Sequence, residues 1–188
     1  MKATLFAATL AVSLSLFSCS ALQKYMIKQS DNPPLTVKPD VARLLIIRTS
    51  SSGESMNYLD GKAIGCTIGK SYFITDAVPG VHYLMGKAEN LAVMRLSLEA
   101  GKIYVIQQTL RVGFWSDRTS FEILTPKELK HEILQEKCRF VVFDAQKAYP
   151  DLSEKDFQES KEDFEKEVKE DPSKYKSTLG YKGLSQLD

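Results

Sequence analysis

Residues 56–85 read MNYLDGKAIGCTIGKSYFITDAVPGVHYLM, and the fold class turns on how this stretch is divided. Short runs rich in β-branched and aromatic residues, Met56 to Leu59, Lys62 to Ile68, Ser71 to Thr75 and Val81 to Met85, alternate with turn residues. Asp60-Gly61 suits a two-residue type I′ hairpin, whose central residues both need positive φ. Gly69-Lys70 predicts a second turn. In Asp76 to Gly80, Pro79 fixes φ and Gly80 permits a reversal. Working outward, Val41 to Arg48 (VARLLIIR) predicts a buried strand, and Thr49 to Ser55 (TSSSGES) a loop. Leu91 to Leu98 places Ala92, Met94, Leu96 and Leu98 on one face, Ile103 to Thr109 follows the Ala100-Gly101-Lys102 turn, and Phe121 to Leu124 closes the set. Runs spaced every 8–12 residues are the pattern of a sandwich or barrel. No helical pattern interrupts them to build a parallel sheet. The expectation is a mainly β chain: an antiparallel β-sandwich of about seven to eight short strands over residues 41–124.

Composition limits the rest. The 188 residues are 43% hydrophobic and 26% charged, which excludes a collagen-like or wholly disordered chain. The length accommodates one cored domain with extensions. A net charge of +1 provides no field that would mark a nucleic-acid partner.

The N-terminus reads as an address. Met1-Lys2 precedes an uncharged apolar run from Ala3 to Phe17, ending at Ser18-Cys19, the arrangement of a secretory signal over residues 1–18. As a helix that run spans only ~22 Å, short of the ~30 Å hydrocarbon core an uncleaved membrane anchor would have to cross. Leu16-Phe17-Ser18-Cys19 resembles the bacterial lipobox, with Leu at −3, a small residue at −1 and Cys at +1. Phe17 stands where that pattern usually has a smaller residue. The resemblance implies a lipoprotein in which Cys19 becomes the mature N-terminus and carries a diacylglyceryl thioether and an amide-linked acyl chain (palmitate class). Two or three such chains hold a protein on a bilayer where one is marginal. Ser20 after the acylated Cys implies the outer membrane, facing the periplasm. Residues 19–40, with Pro33, Pro34 and Pro39, read as a flexible tether of up to ~70 Å. The alternative places Leu22, Tyr25, Met26 and Ile27 at the interface or on the domain.

LDGKAIG, SYFITDAVPGVHYL and LSLEAGKIYVI together resemble a family of bacterial envelope β-sandwich domains similar in style to PEGA and carboxypeptidase-regulatory-like modules. The likeness covers roughly residues 40–124. Its motifs are turn and packing residues, so it implies a fold and a non-catalytic adaptor or surface-layer role, and it brings no catalytic residue.

Residues 125–172 predict a helical extension. Thr125 is an N-cap with Pro126 at N1, Glu128 completing a capping box and Leu124 with Leu129 forming a staple. Leu129, Ile133, Leu134, Cys138, Val141, Val142, Ala145 and Tyr149 then fall at three- and four-residue spacings, predicting one amphipathic helix to about Ala148. A strand at Arg139 to Phe143 (RFVVF) competes with it, because short apolar runs satisfy either period. Leu152-Ser153 opens a second helix to about Glu170, with Phe157, Phe164 and Val168 as a narrow apolar stripe. Ten acids against four bases in residues 151–171 mark a solvated face, with an acidic partner-binding helix as the alternative. Residues 173–188 read as a loose tail.

The chemistry-bearing residues are few. Gly65 to Ser71 (GCTIGKS) falls one residue short of a phosphate-binding loop and leads into a strand rather than a helix. His82 and His131 lie on different elements, without a Cys or carboxylate at ligand spacing, so neither a metal nor a cofactor is expected. Neither a G-x-S-x-G nor an H-E-x-x-H motif is present, and no catalytic residue is assigned. Cys66 and Cys138 are either two buried thiols or a disulfide, which an oxidising compartment permits. The candidate binding residues are Arg111, Phe114, Trp115 and Arg118, on a loop holding the single Trp between two strands. Aromatics beside Arg stack on sugars or anchor a protein partner, and the same residues could plug the end of the sandwich. The functional expectation is a lipid-anchored envelope protein, held by its acyl chains, whose β-sandwich binds or scaffolds an envelope protein or glycan. The alternative is an envelope hydrolase, or a glycan- or peptidoglycan-binding protein, using the Arg111–Arg118 loop.

Overall fold

In the computed structural model Asp60 and Gly61 have φ of 50° and 80°, so the chain reverses in the two-residue turn that Asp-Gly favours. The structure describes residues 25–31, 36–51, 53–112, 117–124, 138–144, 146–147, 149–175 and 182–185. Among these are ten strands: β1 (Met26–Lys28), β2 (Ala42–Arg48), β3 (Glu54–Leu59), β4 (Lys62–Ile68), β5 (Ser71–Ala77), β6 (Gly80–Lys87), β7 (Leu91–Leu98), β8 (Ile103–Val112), β9 (Asp117–Ile123) and β10 (Arg139–Phe143). One helix, α1 (Glu154–Glu170), follows them, and a 3₁₀ turn spans Pro172–Tyr175. The strands form a six-stranded sheet in the order β1-β10-β5-β2-β8-β9 and a four-stranded sheet in the order β4-β3-β6-β7. The chain is therefore a mainly β sandwich with a C-terminal helix.

β2 is central. Leu44 and Ile46 pack into the core shared with the four-stranded sheet, while Leu45 and Ile47 join a second cluster with Tyr72, Val105, Leu124 and Cys138. All four β2 residues are wholly buried. Burial on both faces explains why LLII does not alternate with polar residues. β8 opens in the same way, with Tyr104 and Ile106 in one cluster and Ile103 and Val105 in the other, whereas on the edge strand β7 Met94, Leu96 and Leu98 alternate into the core.

Four expectations are corrected. The sheets are not wholly antiparallel: β2 runs parallel to β8, and β10 parallel to β5. Parallel neighbours need a long crossover, and here β3 to β7 intervene between β2 and β8, with β3, β4, β6 and β7 in the opposite sheet and β5 on the other edge of β2. The helix expected to continue to about Ala148 is absent at residues 139–143, where β10 pairs Arg139 with Ser71, Phe140 with Tyr72, and Phe143 with Met26. Phe140 and Val141 enter different clusters, which is the period of two that a strand imposes. The rest of that predicted helix, residues 125–137 with Ala145 and Ala148, lies outside the described residues.

The tether is also shorter than its composition implies. Met26 is buried, and Tyr25 packs edge-on against Tyr149 with ring centroids 4.5 Å apart. Nor is the tail entirely loose, because Leu184 exchanges two backbone hydrogen bonds of 2.8 Å with Ile103. α1 begins and ends as expected. Ser153 is the N-cap, its hydroxyl accepting from the Asp156 N–H at 3.0 Å, and Asp171-Pro172 ends it. Among α1 residues Phe164 and Val168 are buried.

Gly86 on β6 faces the other sheet at close range. A Cβ built there would lie 2.6 Å from Gln108 Nε2 and 2.7 Å from Phe121 Cζ, on strands of the facing sheet. Neither group can withdraw, because Gln108 is fixed by hydrogen bonds and the phenyl ring is rigid. Gly86→Ala is expected to lower stability by ~1–3 kcal/mol, the usual range for overpacking. Urea unfolding would show this as an earlier midpoint with an unchanged slope.

Candidate functional site: a cleft between the sheet edges and the helix

α1 is fastened at its start and again along its length. At its start Asp151 receives Lys62 Nζ at 2.8 Å and the Ala63 N–H at 2.9 Å, while the Leu152 N–H donates to the Gly61 carbonyl at 2.9 Å. The Phe157 ring covers Gly61 so closely that a Cβ there would sit 3.4 Å from it. Midway, Arg95 Nη1 donates to both Glu165 oxygens at 2.7 and 2.8 Å, and the Tyr83 hydroxyl donates to Oε1 at 2.8 Å. Burial would push the Glu165 carboxyl up, but the Tyr83 and Arg95 hydrogen bonds outweigh it and hold the group below the usual glutamate range. Burial, followed by the Glu165 contact, raises the Tyr83 phenol. Lys161 Nζ lies 5.0 Å from the Tyr83 ring centroid, and Phe164 meets that ring edge-on.

This docking leaves a cleft. β7 and β9 are the edge strands of their respective sheets, and α1 overhangs both. Between them is a cavity of about 510 Å³ whose apolar wall includes Leu91, Val93, Phe121 and Phe164. Asp163 and Glu167 stand at its rim, and Tyr175 closes one end with its ring 5.0 Å from Phe164 and its hydroxyl donating to Glu167 at 2.5 Å. A recess of about 250 Å³ adjoins it through Leu91 and Ser160, adding Asp156, Glu159, Glu89 and Lys87. The combined surface is apolar below and predominantly acidic above.

The floor is braced by polar groups. Asn90, in the turn before β7, holds the edge of β9: its Nδ2 donates to the Thr119 carbonyl at 3.1 Å, and the Thr119 N–H donates to its Oδ1 at 2.6 Å. Behind Thr119, Gln108 Nε2 donates to Thr119 Oγ1 at 3.1 Å and to Ser55 Oγ at 2.7 Å. Gln108 Oε1 accepts from Asn57 Nδ2 at 3.2 Å and from the Thr67 hydroxyl at 2.5 Å. All five residues are buried, so a nearly closed polar network lies between the sheets, joining β3, β4, β8 and β9. Among the described residues Asn57 Oδ1 has no hydrogen-bond partner. Sequence reasoning passed over this network. Its one visible trace is Gln107-Gln108-Thr109, where polar residues follow the apolar start of a strand.

The residues singled out from the sequence scatter. Arg111 and Arg118 are Cα partners across β8 and β9, both exposed, while Phe114 and Trp115 lie outside the described residues. Like charges directly opposite each other on a ladder repel, so this pair suits an anionic counter-group. Cys66 and Cys138 are buried in separate clusters and are not joined in a disulfide, and burial pushes the Cys66 thiol up to about 12. His82 Nδ1 is 2.6 Å from Asp60 Oδ2, and its Nε2 is 2.9 Å from the Val78 carbonyl, so the ring ties two turns together. Gly65 and Gly69-Lys70 belong to the β4–β5 hairpin, with Gly69 at φ 51°. Cys19 and His131 lie outside the described residues. Among the described residues, no three His, Cys, Asp or Glu side chains cluster to hold a metal, and no helix is long and apolar enough to cross a membrane. Neither a protein-family model, nor a curated protein, nor a solved structure matches the chain.

The Glu165 contacts fix a direction for pH dependence. A carboxyl held below its ordinary value adds stability above the unfolded-state range and loses it as pH falls through the folded value. The hold of α1 on Tyr83 and Arg95 should thus be complete above about pH 5 and weaken below about pH 4. Hydrogen-exchange protection at Phe164 and Val168 is expected to fall across that window. In Glu165→Gln it should be lower at neutral pH and nearly flat.

Proposed function

We propose that this chain is a lipid-anchored protein of the bacterial cell envelope whose β-sandwich is a non-catalytic binding or scaffolding module. The observation that carries the binding role is the 510 Å³ cleft between β7, β9 and α1. Its apolar wall and acidic rim suit a partner that presents apolar and cationic groups together, and the Gln108–Thr119–Asn90 bracing keeps its floor in one shape. Pre-organisation of this kind reduces the ordering cost of binding. The lipobox-like Leu16 to Cys19 supports the anchor, and acyl chains on Cys19 would hold the protein on the outer membrane, facing the periplasm. The turn pattern shared in style with PEGA-like modules supports a non-catalytic adaptor role.

A second reading rests on the opposed Arg111 and Arg118. These flank the segment holding Trp115, and an anionic glycan such as peptidoglycan would neutralise the pair while stacking on the indole. Addition of muropeptides would then shift Trp fluorescence, and Arg118→Ala would abolish the shift.

The leading reading is tested in intact cells. Cys19→Ala is expected to abolish labelling by fatty-acid analogues and release the chain from membranes. A photo-crosslinking residue at position 163 should form an adduct that the paired Glu159→Lys and Glu167→Lys changes reduce about tenfold, the effect of ~1.4 kcal/mol. Adducts formed from position 118 and not from 163 would favour the distal loop instead.

A further inference from the structure

The large hydrophobic side chains exposed among the described residues are Ile27, Val78 and Val81. Val78 and Val81 flank Pro79-Gly80, Val78 just after β5 and Val81 at the start of β6, about two-thirds exposed at 66% and 62%. Both are stiff, apolar and held on a rigid support, because the Val78 carbonyl is bonded to His82 Nε2 and His82 in turn to Asp60.

Strand direction decides what lies opposite this turn. β10 runs parallel to β5, and β1 runs antiparallel to β10 with Met26 opposite Phe143. The start of β1 is therefore at the same end of the sandwich as the finish of β5, where Ala77 leads into Val78. Two inter-strand steps separate β1 from β5, a lateral distance of about 10 Å. Tyr25 is pinned there by Tyr149 and by the Asp144 N–H, which donates to its carbonyl at 2.8 Å. Six peptide steps connect Tyr25 to Cys19, at most about 20 Å of fully extended chain. The Arg111 and Arg118 pair lies at the other end of β8, whose ten residues span roughly 30 Å.

We infer that the Val78-Pro79-Gly80-Val81 turn docks into the interfacial layer of the bilayer that holds Cys19, standing the sandwich upright with Arg111 and Arg118 directed away from the membrane. This rests on the acyl anchor proposed above. Chain length and its point of attachment identify the occupant. An anchor of at most about 20 Å confines that end to the lipid surface, and the exposed valines are at that end. The turn supplies the second contact that fixes orientation, where a tether alone would leave the body free to tumble.

The test uses the full acylated protein in phospholipid vesicles, with acylation of Cys19 read by mass spectrometry. Single Val78→Cys and Arg118→Cys variants carry a polarity-sensitive fluorophore, and the buried Cys66 and Cys138 thiols are left unlabelled. The expected result is blue-shifted emission at position 78, with quenching by brominated lipid at least about twofold stronger than at 118, as for a group at the acyl boundary. A label at Val81→Cys should lose that quenching when Val78→Asp is added, while the protein stays on the vesicles. Equal quenching at 78 and 118 in protein shown to be acylated would overturn the docking and leave the anchor standing. Absence of the acyl mass would overturn both.

Discussion

The structure depends on removing both faces of β2 from water. Leu44 and Ile46 on one side, and Leu45 and Ile47 on the other, bury about as much apolar surface as four side chains can, each contributing ~1.5–3 kcal/mol. A strand in this position must have a neighbour on each edge as well as cover above and below. β5 and β8 supply the edges, the four-stranded sheet covers one face, and Tyr72, Leu124, Cys138 and Phe140 belong to the cluster on the other. That demand sends the chain back and forth between the sheets, and the parallel β2–β8 pairing results from it. The sandwich is organised around a strand that could not lie at an edge.

Where local chemistry determines structure, the sequence is legible. Asp60-Gly61 makes its turn because both residues take positive φ, and Ser153 caps α1 because its hydroxyl meets the Asp156 N–H. Non-local pairing is where reading fails. RFVVF at 139–143 satisfies a helical stripe and a strand equally well over five residues, and only the open edge of β5 decides between them. Met26 offers no periodic signal in a three-residue strand, and its burial comes from distant neighbours, Phe143 beside it in the sheet and Cys66, whose N–H donates to its sulfur. The cleft was illegible for the same reason: Leu91, Phe121 and Asp163 meet only through topology. The acidic composition of 151–171 predicts a solvated face, and much of it is one, yet Glu165 within it ties the helix to Arg95.

The helix acts as more than a lid. Without α1 the four-stranded sheet would lose the cover that Phe164 gives Tyr83 and that Phe157 gives the core cluster containing Met85. Met85 is wholly buried, and Phe164 packs on Tyr83. The Glu165–Arg95 pair adds little as a surface ion pair, for which the typical contribution is below ~1 kcal/mol. Its value is geometric: one carboxylate fixes the helix against two strands at once, which sets the width of the cleft.

Asn90 has a consequence beyond bracing a floor. Its carboxamide presents a donor and an acceptor to the Thr119 backbone in the way a neighbouring strand would, so part of the β9 edge is already satisfied. Open edges invite a second chain to add on. A side chain that imitates one residue of a missing neighbour shortens the stretch of β9 along which a second copy could zip.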